Sequence, residues 1–139
     1  MSTLKRLLLC STLLLAAGCN LGAAAPETPI PTPDVPVVEF LYPPNNSTVL
    51  EGTDLTLDVV ARDDSVGVSR LEIYLNDVLL REVELADYTV EPIYRVQVNW
   101  RADGAGLHAL TAIAFRPDGT PSDEGRVTLE VVPRPTPTP

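Results

Sequence analysis

The sequence predicts an all-β fold: a seven-stranded antiparallel β-sandwich flanked by disordered arms rich in proline and threonine. Three observations carry that prediction. Apolar and polar residues alternate with period two over seven runs of six to nine residues. Clusters of glycine, proline, asparagine and aspartate interrupt these runs about every ten residues. No segment repeats its apolar residues at the 3.6-residue spacing of a helix. Short strands with closely spaced turns suit two packed sheets, an open barrel being the competing arrangement.

The first run, Val37 to Tyr42, stops at Pro43-Pro44-Asn45-Asn46, a strong turn signal. After a break at Glu51-Gly52-Thr53-Asp54, Leu55, Leu57, Val59 and Ala61 form a dry face against Thr56, Asp58, Val60 and Arg62. The loop Asp63-Asp64-Ser65-Val66-Gly67 leads to Leu71, Ile73 and Leu75, alternating with Arg70, Glu72 and Tyr74. Asn76-Asp77 then makes a two-residue hairpin corner, since both residue types tolerate positive φ. On the returning strand Leu79, Val83 and Leu85 are expected to oppose Glu82 and Glu84. Tyr94, Val96, Val98 and Trp100 against Arg95, Gln97, Asn99 and Arg101 is the cleanest alternation in the chain. Past Asp103-Gly104-Ala105-Gly106, His108, Leu110, Ala112 and Ala114 share one face. Arg116-Pro117-Asp118-Gly119 turns the chain, and Val127, Leu129 and Val131 close the set. The expected interior is Leu57, Leu71, Ile73, Val96, Val98, Trp100, Leu110, Ala112 and Leu129.

Outside residues 37–132 the composition changes. Nine of the 14 prolines fall in the arms 20–36 and 133–139. Proline fixes φ and removes a backbone donor, so these arms suit an extended polyproline-II conformation rather than helix or sheet. The N-terminus joins two positive charges, Lys5 and Arg6, to an apolar run from Leu7 to Ala17 that ends at Gly18-Cys19. That is the layout of a secretory signal over residues 1–18, too short to span a bilayer comfortably. Its close, Leu15-Ala16-Ala17-Gly18-Cys19, resembles the lipobox of bacterial lipoproteins. The resemblance implies cleavage before Cys19 and acyl chains on its thiol, with the membrane as partner through those chains. It places the protein at the bacterial cell envelope, outside the cytoplasm, and Asn20 after the cysteine implies the outer membrane where the host has one.

The processed chain of 121 residues retains eight arginines, no lysine and 19 acidic residues, a net charge of about −11. So acidic a chain excludes nucleic acid as a partner and electrostatic adhesion to anionic lipid. Cys10 leaves with the signal, so Cys19 has no partner for an internal disulfide, and the domain must hold by its core.

A second resemblance covers Val37 to Val132. The segments Pro43-Pro44-Asn45-Asn46-Ser47-Thr48-Val49, Ala61-Arg62-Asp63-Asp64-Ser65-Val66-Gly67 and Gly106-Leu107-His108-Ala109-Leu110 carry it, with the aromatic-ended strand at Trp100. Together they are similar to a bacterial immunoglobulin-like (Ig-like) domain of surface and secreted proteins. The resemblance implies the Ig-like sandwich but no catalytic signature.

No constellation of residues points to chemistry. His108, the only histidine, is expected to be structural, bonding back to a loop after Gly106. With one histidine and one cysteine in the processed chain, a zinc site lacks ligands. Asp63-Asp64 and Asp118, Asp123 and Glu124 should lie at one end of a sandwich. They fit no calcium-loop spacing and are expected to be solvated turn carboxylates. Tyr42, Tyr74, Tyr88 and Tyr94 would make a sugar-stacking platform only on a shared face. Tyr94 is expected in the core and Tyr74 in water. The expectation is a monomeric, non-catalytic module with no catalytic, cofactor-binding or metal-binding residues. It is presented at the envelope through Cys19, as a spacer or as a binder of a protein or glycan. A carbohydrate- or Ca²⁺-binding adhesion module is the alternative, and an envelope hydrolase a distant one.

Overall fold

A computed structural model describes residues 34–86 and 89–135. The expectations for the signal, Cys19, most of the N-terminal arm, Tyr88 and the last four residues lie outside these. Eight strands succeed one another in order: β1 (Val37–Tyr42), β2 (Ser47–Leu50), β3 (Asp54–Arg62), β4 (Arg70–Leu75), β5 (Val78–Glu84), β6 (Ile93–Arg101), β7 (Gly106–Phe115) and β8 (Gly125–Val132). They form an all-β sandwich of one sheet ordered β1-β3-β6 and another ordered β2-β8-β7-β4-β5.

Two features correct the seven-stranded antiparallel expectation. The extra strand is β2, and it pairs with β8 in parallel, Ser47 opposite Leu129 and Leu50 opposite Val132. The Pro43–Asn46 break is thus a crossing rather than a hairpin. The chain leaves β3, to which β1 pairs antiparallel, and joins the opposite sheet. Asn46 N–H donates to the Thr128 carbonyl at 2.7 Å, and Asn45 Oδ1 accepts from Thr128 N–H at 2.9 Å, docking the crossing onto β8. Before it, β1 passes so close to the start of β8 that a Cβ on Gly125 would lie 2.7 Å from the Val38 carbonyl oxygen. Only glycine fits there.

The core sits between the sheets. Leu57, Val59, Leu71, Ile73, Leu110 and Leu129 are fully buried, with Trp100 nearly so. Each aliphatic side chain so buried contributes roughly 1.5–3 kcal/mol relative to an exposed one. Eight of the nine expected interior residues are buried; Val98, on the edge strand β6, is half-buried against the rest. The Asn76-Asp77 corner forms as expected, with φ of 48° and 65°, the double left-handed signature of a type I′ turn.

Strict alternation fails in two places. In β3, the central strand of its sheet, Val60 and Asp58 on the expected wet face are also buried. In β5 the register shifts, because Ile73 pairs with Arg81 while Tyr74 pairs with Leu79. This bulge turns Leu79 outward and leaves Leu80 and Val83 packed on the core, so the expected Leu79 face is wrong. The shift also gives Arg81 the parity of the buried Ile73. A bulge with an inward-parity charge on an edge strand discourages edge-to-edge pairing.

Candidate functional site

The pairing of the strands sorts the loops into two groups. Val37 of β1 lies opposite Arg62, the last residue of β3, and Val38 touches Gly125, the first of β8. The chain therefore enters the sandwich beside the loops 63–69 and 116–124. The turns 51–53, 76–77 and 102–105 lie at the far end, while the crossing 43–46 docks midway along β8 at Thr128.

At the near end Asp63 and Arg116 form a buried ion pair. Asp63 follows the dry residues Leu55, Leu57, Val59 and Ala61 on the same parity, and Arg116 follows Leu110, Ala112 and Ala114 on theirs. Each strand thus projects one charge into the closing layer of the sandwich. Arg116 Nε donates to Asp63 Oδ2 at 2.5 Å, and a terminal guanidinium nitrogen donates to Oδ1 at 3.2 Å. The side chains are only 10% and 2% exposed. Ser65 Oγ donates to Asp63 Oδ1 at 2.8 Å, and the Ser65 and Val66 N–H groups donate to the same oxygen at 3.2 and 3.3 Å. The Arg116 guanidinium holds the Asp63 carboxyl well below the usual carboxylate range. Burial opposes this, and the Ser65 and Val66 donors add to it. Arg116 is raised in turn, chiefly by the bond to Asp63.

Asp63 is therefore no solvated turn carboxylate, a correction that sequence parity alone explains. Its oxygens are occupied by arginine and hydroxyl donors, which removes it from any cation-binding set. The neighbouring Asp118 does cap its own turn, accepting the Thr120 N–H at 2.9 Å, which holds its carboxyl low. Among the described residues no three His, Cys, Asp or Glu side chains group as they would around a metal ion.

At the far end His108 bonds back to the preceding loop. Its Nε2 lies 2.7 Å from the Gly104 carbonyl oxygen, which can only accept, so Nε2 carries the proton. Nδ1 then accepts from Asn76 Nδ2 at 3.1 Å, and Asn76 Oδ1 takes the Ala109 N–H at 2.9 Å. The ring stands 5.8 Å from Trp100, tilted by 58°. All of these contacts tie the hairpin turn to β7 and the core.

The outer face of β1-β3-β6 carries a second set of ion pairs. Arg95 forks onto Asp58, Nε at 2.8 Å, and Gln97 adds a weaker bond at 3.4 Å. These donors hold the Asp58 carboxyl low, Arg95 foremost, against the opposing effect of burial. Arg62 pairs with Glu39 in open solvent at 2.5 Å.

The tyrosines are dispersed rather than gathered. Tyr42 is exposed on the β1 edge, while Tyr94 is half-buried against the core. Tyr74 is half-buried too, its hydroxyl donating to Glu72 at 2.6 Å. On its face Arg70 lies 3.8 Å over the Phe115 ring and is also paired with Glu72. A shallow groove of about 320 Å³ opens between the edges of β5 and β6, lined by Leu80, Arg81, Gln97, Val98 and Asn99. No buried polar group points into it.

No curated protein sequence matches the chain. Among solved structures, the fibronectin(III)-like modules of Clostridium thermocellum CbhA are 20% identical with a TM-score of 0.57, over 71% of this chain and 100% of that one. A CARDB domain from Pyrococcus furiosus is 12% identical with a TM-score of 0.53, over 71% of this chain and 97% of that one. The SrpA adhesin of Streptococcus sanguinis is 14% identical with a TM-score of 0.53, over 75% of this chain and 61% of that one. At these identities the likeness is one of fold. The model of the bacterial Ig domain family matches residues 36–131, the whole sandwich but for one residue, and the chain belongs to that family.

Proposed function

We propose that this protein is a lipid-anchored, non-catalytic module of the bacterial cell envelope, held outside the cytoplasm by acyl chains on Cys19 and presenting its Ig domain as a spacer or binding unit. The observation that supports this reading best is the placement of the two termini. The chain enters β1 at one end of the sandwich, and β8 delivers it to the other, where Arg134 donates to the Glu51 carbonyl at 3.3 Å. A domain threaded in this way puts the start of β1 and the end of β8 at opposite ends of the sandwich, which is the use an anchored spacer makes of it. The charged clusters support the same reading. Asp63, Arg116, Asp58 and Arg95 satisfy one another, and His108 is consumed by Gly104 and Asn76. None is left as a nucleophile, general base or ligand.

Two acyl chains give lasting membrane attachment where one gives marginal binding. Expression with labelled fatty acid tests the anchor. Wild-type protein is expected to take up label and sediment with membranes. Cys19→Ala should remain an unprocessed precursor or appear as a soluble form without label. Label persisting in Cys19→Ala would contradict the anchor.

A further inference from the structure

Four strands end the two sheets, β1 and β6 in one, β2 and β5 in the other. Three of these edges are protected against further pairing. The register of β1 shifts between Phe40 and Tyr42, β2 is four residues long, and β5 has its bulge and Arg81. Strand β6 has no such protection. It pairs with β3 over nine residues without a shift, holds no proline, and turns Tyr94, Val96, Val98 and Trp100 inward.

The bonds just beyond its two ends fix which backbone groups of β6 are free. Asp63 N–H donates to the Pro92 carbonyl at 2.9 Å, and Ala102 N–H donates to the Thr53 carbonyl at 2.9 Å. Both pairs are therefore at hydrogen-bonded positions of the ladder, and so is every second pair between them. That engages Tyr94, Val96, Val98 and Trp100 with β3. Ile93, Arg95, Gln97 and Asn99 aim their N–H and C=O groups at the free edge instead, where no backbone group among the described residues takes them. Beside this edge lies the groove of about 320 Å³, with Leu80 and Val98 half-buried in it. Arg81 lines it too, exposed and without an ion pair among the described residues.

We propose that the free edge of β6 accepts an extended, carboxylate-bearing segment of a partner protein, added antiparallel as a fourth strand of this sheet. Antiparallel pairing is the rule there, β1 on β3 and β3 on β6. Ile93, Arg95, Gln97 and Asn99 supply the main-chain bonds, which give affinity without regard to sequence. Alternate side chains of the added strand fall over the groove, where Leu80 and Val98 take an apolar one and Arg81 an acidic one. Arg81 also argues against a second copy of this chain as the occupant. Two copies joined through β6 would bring their Arg81 side chains to one seam, and each carries a net charge of −9. The inference rests on the binding-unit reading of this module and gives it a partner class. It does not depend on Cys19, so failure of the fatty-acid test would leave it standing.

Titration of the ¹⁵N-labelled full chain in detergent with the blocked peptide Thr-Val-Thr-Glu-Thr-Val-Thr tests this. Its valines and glutamate share the inward parity and its threonines the outward one. Amide shifts are expected at Ile93, Arg95, Gln97 and Asn99, together with slowed hydrogen exchange. N-methylation of the threonines, whose N–H groups would face β6, should abolish binding, while N-methylation of the valines and glutamate should not. A peptide with lysine for glutamate should bind about tenfold more weakly, and Arg81→Glu should reverse that preference. Arg81 is exposed, so this variant should melt with the wild type. No binding of the glutamate peptide at millimolar concentration would overturn the proposal, as would shifts confined to other strands. Equal affinity for the glutamate and lysine peptides would remove Arg81 from the site and overturn the acidic partner. Sedimentation showing the wild-type chain paired through β6 with a second copy would do so as well.

Discussion

The two ends of the sandwich solve the same problem with different chemistry. Each must close the gap between two sheets where the strands run out of apolar side chains. The near end closes it with charge, Asp63 against Arg116, both withdrawn from water. The far end closes it with neutral groups: His108 beside Trp100, hydrogen-bonded to Gly104 and Asn76, over a type I′ turn. Withdrawing ions from water costs several kcal/mol per ion, and only good geometry with further hydrogen bonds repays it. A buried pair therefore contributes modest net stability while making each partner indispensable to the other. The far end carries no such mutual dependence: truncating one member loses a hydrogen bond and packing, but strands no ion.

The largest expected effect lies at the far end, where burial of a large aromatic dominates. Trp100→Ala should cost roughly 3–5 kcal/mol in denaturant unfolding. A cost under about 1 kcal/mol would mean that Trp100 does not close the core there. At the near end Asp63→Ala strands the Arg116 guanidinium and should cost about 3 kcal/mol. A near-neutral result would show that water replaces the carboxylate and that the end is not closed by charge.

The ends should also separate in acid. The folded-state pKa of Asp63 is depressed, so its contribution is fully present above the unfolded value of about 3.9 and is lost as pH falls below it. Asp58 and Asp118 are depressed as well and add to the same window. Wild-type stability should therefore fall steeply between about pH 4 and pH 2. Asp63→Asn, less stable at neutral pH, should show a shallower acid slope. Equal slopes would locate the acid sensitivity elsewhere.

The smallest contrast is between the two surface pairs. Arg95→Ala leaves the nearly buried Asp58 without its main donor and should lower stability measurably. Arg62→Ala disturbs a pair open to solvent and should stay within about 0.5 kcal/mol. The reverse order in thermal melts would mean that burial does not set the worth of ion pairs on this sheet.

Much of the sandwich was legible as alternation, because each sheet faces one core and a one-residue slip would turn whole strands inside out. Leu57, Leu71, Ile73, Trp100 and Leu129 follow from period two alone. Strand β2 was not legible: four residues after two prolines carry too short a pattern, and parallel pairing with the distant β8 leaves no local mark. The β5 bulge escaped for a similar reason, since one inserted residue changes no composition. Asp63 and Arg116 were legible in principle. Each extends the dry parity of its strand by one step, and opposite charges at matching strand ends are the signal of a pair. Reading both as turn residues hid it. Arg95 lies on the wet face as the alternation expects; its pairing with Asp58 was not legible, because alternation does not show that Asp58 sits on a central strand and needs a partner. His108 fared better, bonding to a loop as its place after Gly106 suggested.

The proposed anchor depends on what is bound to Cys19, and the mass of the N-terminal fragment from the membrane fraction measures it directly. Cleavage after arginine should release a fragment running from Cys19 to Arg62, because the processed chain has no lysine and no earlier arginine. This fragment is expected to carry the added mass of a diacylglyceryl group on the thiol, with or without an acylated amine. A fragment beginning elsewhere, or one beginning at Cys19 with a free thiol and no added mass, would contradict the anchor.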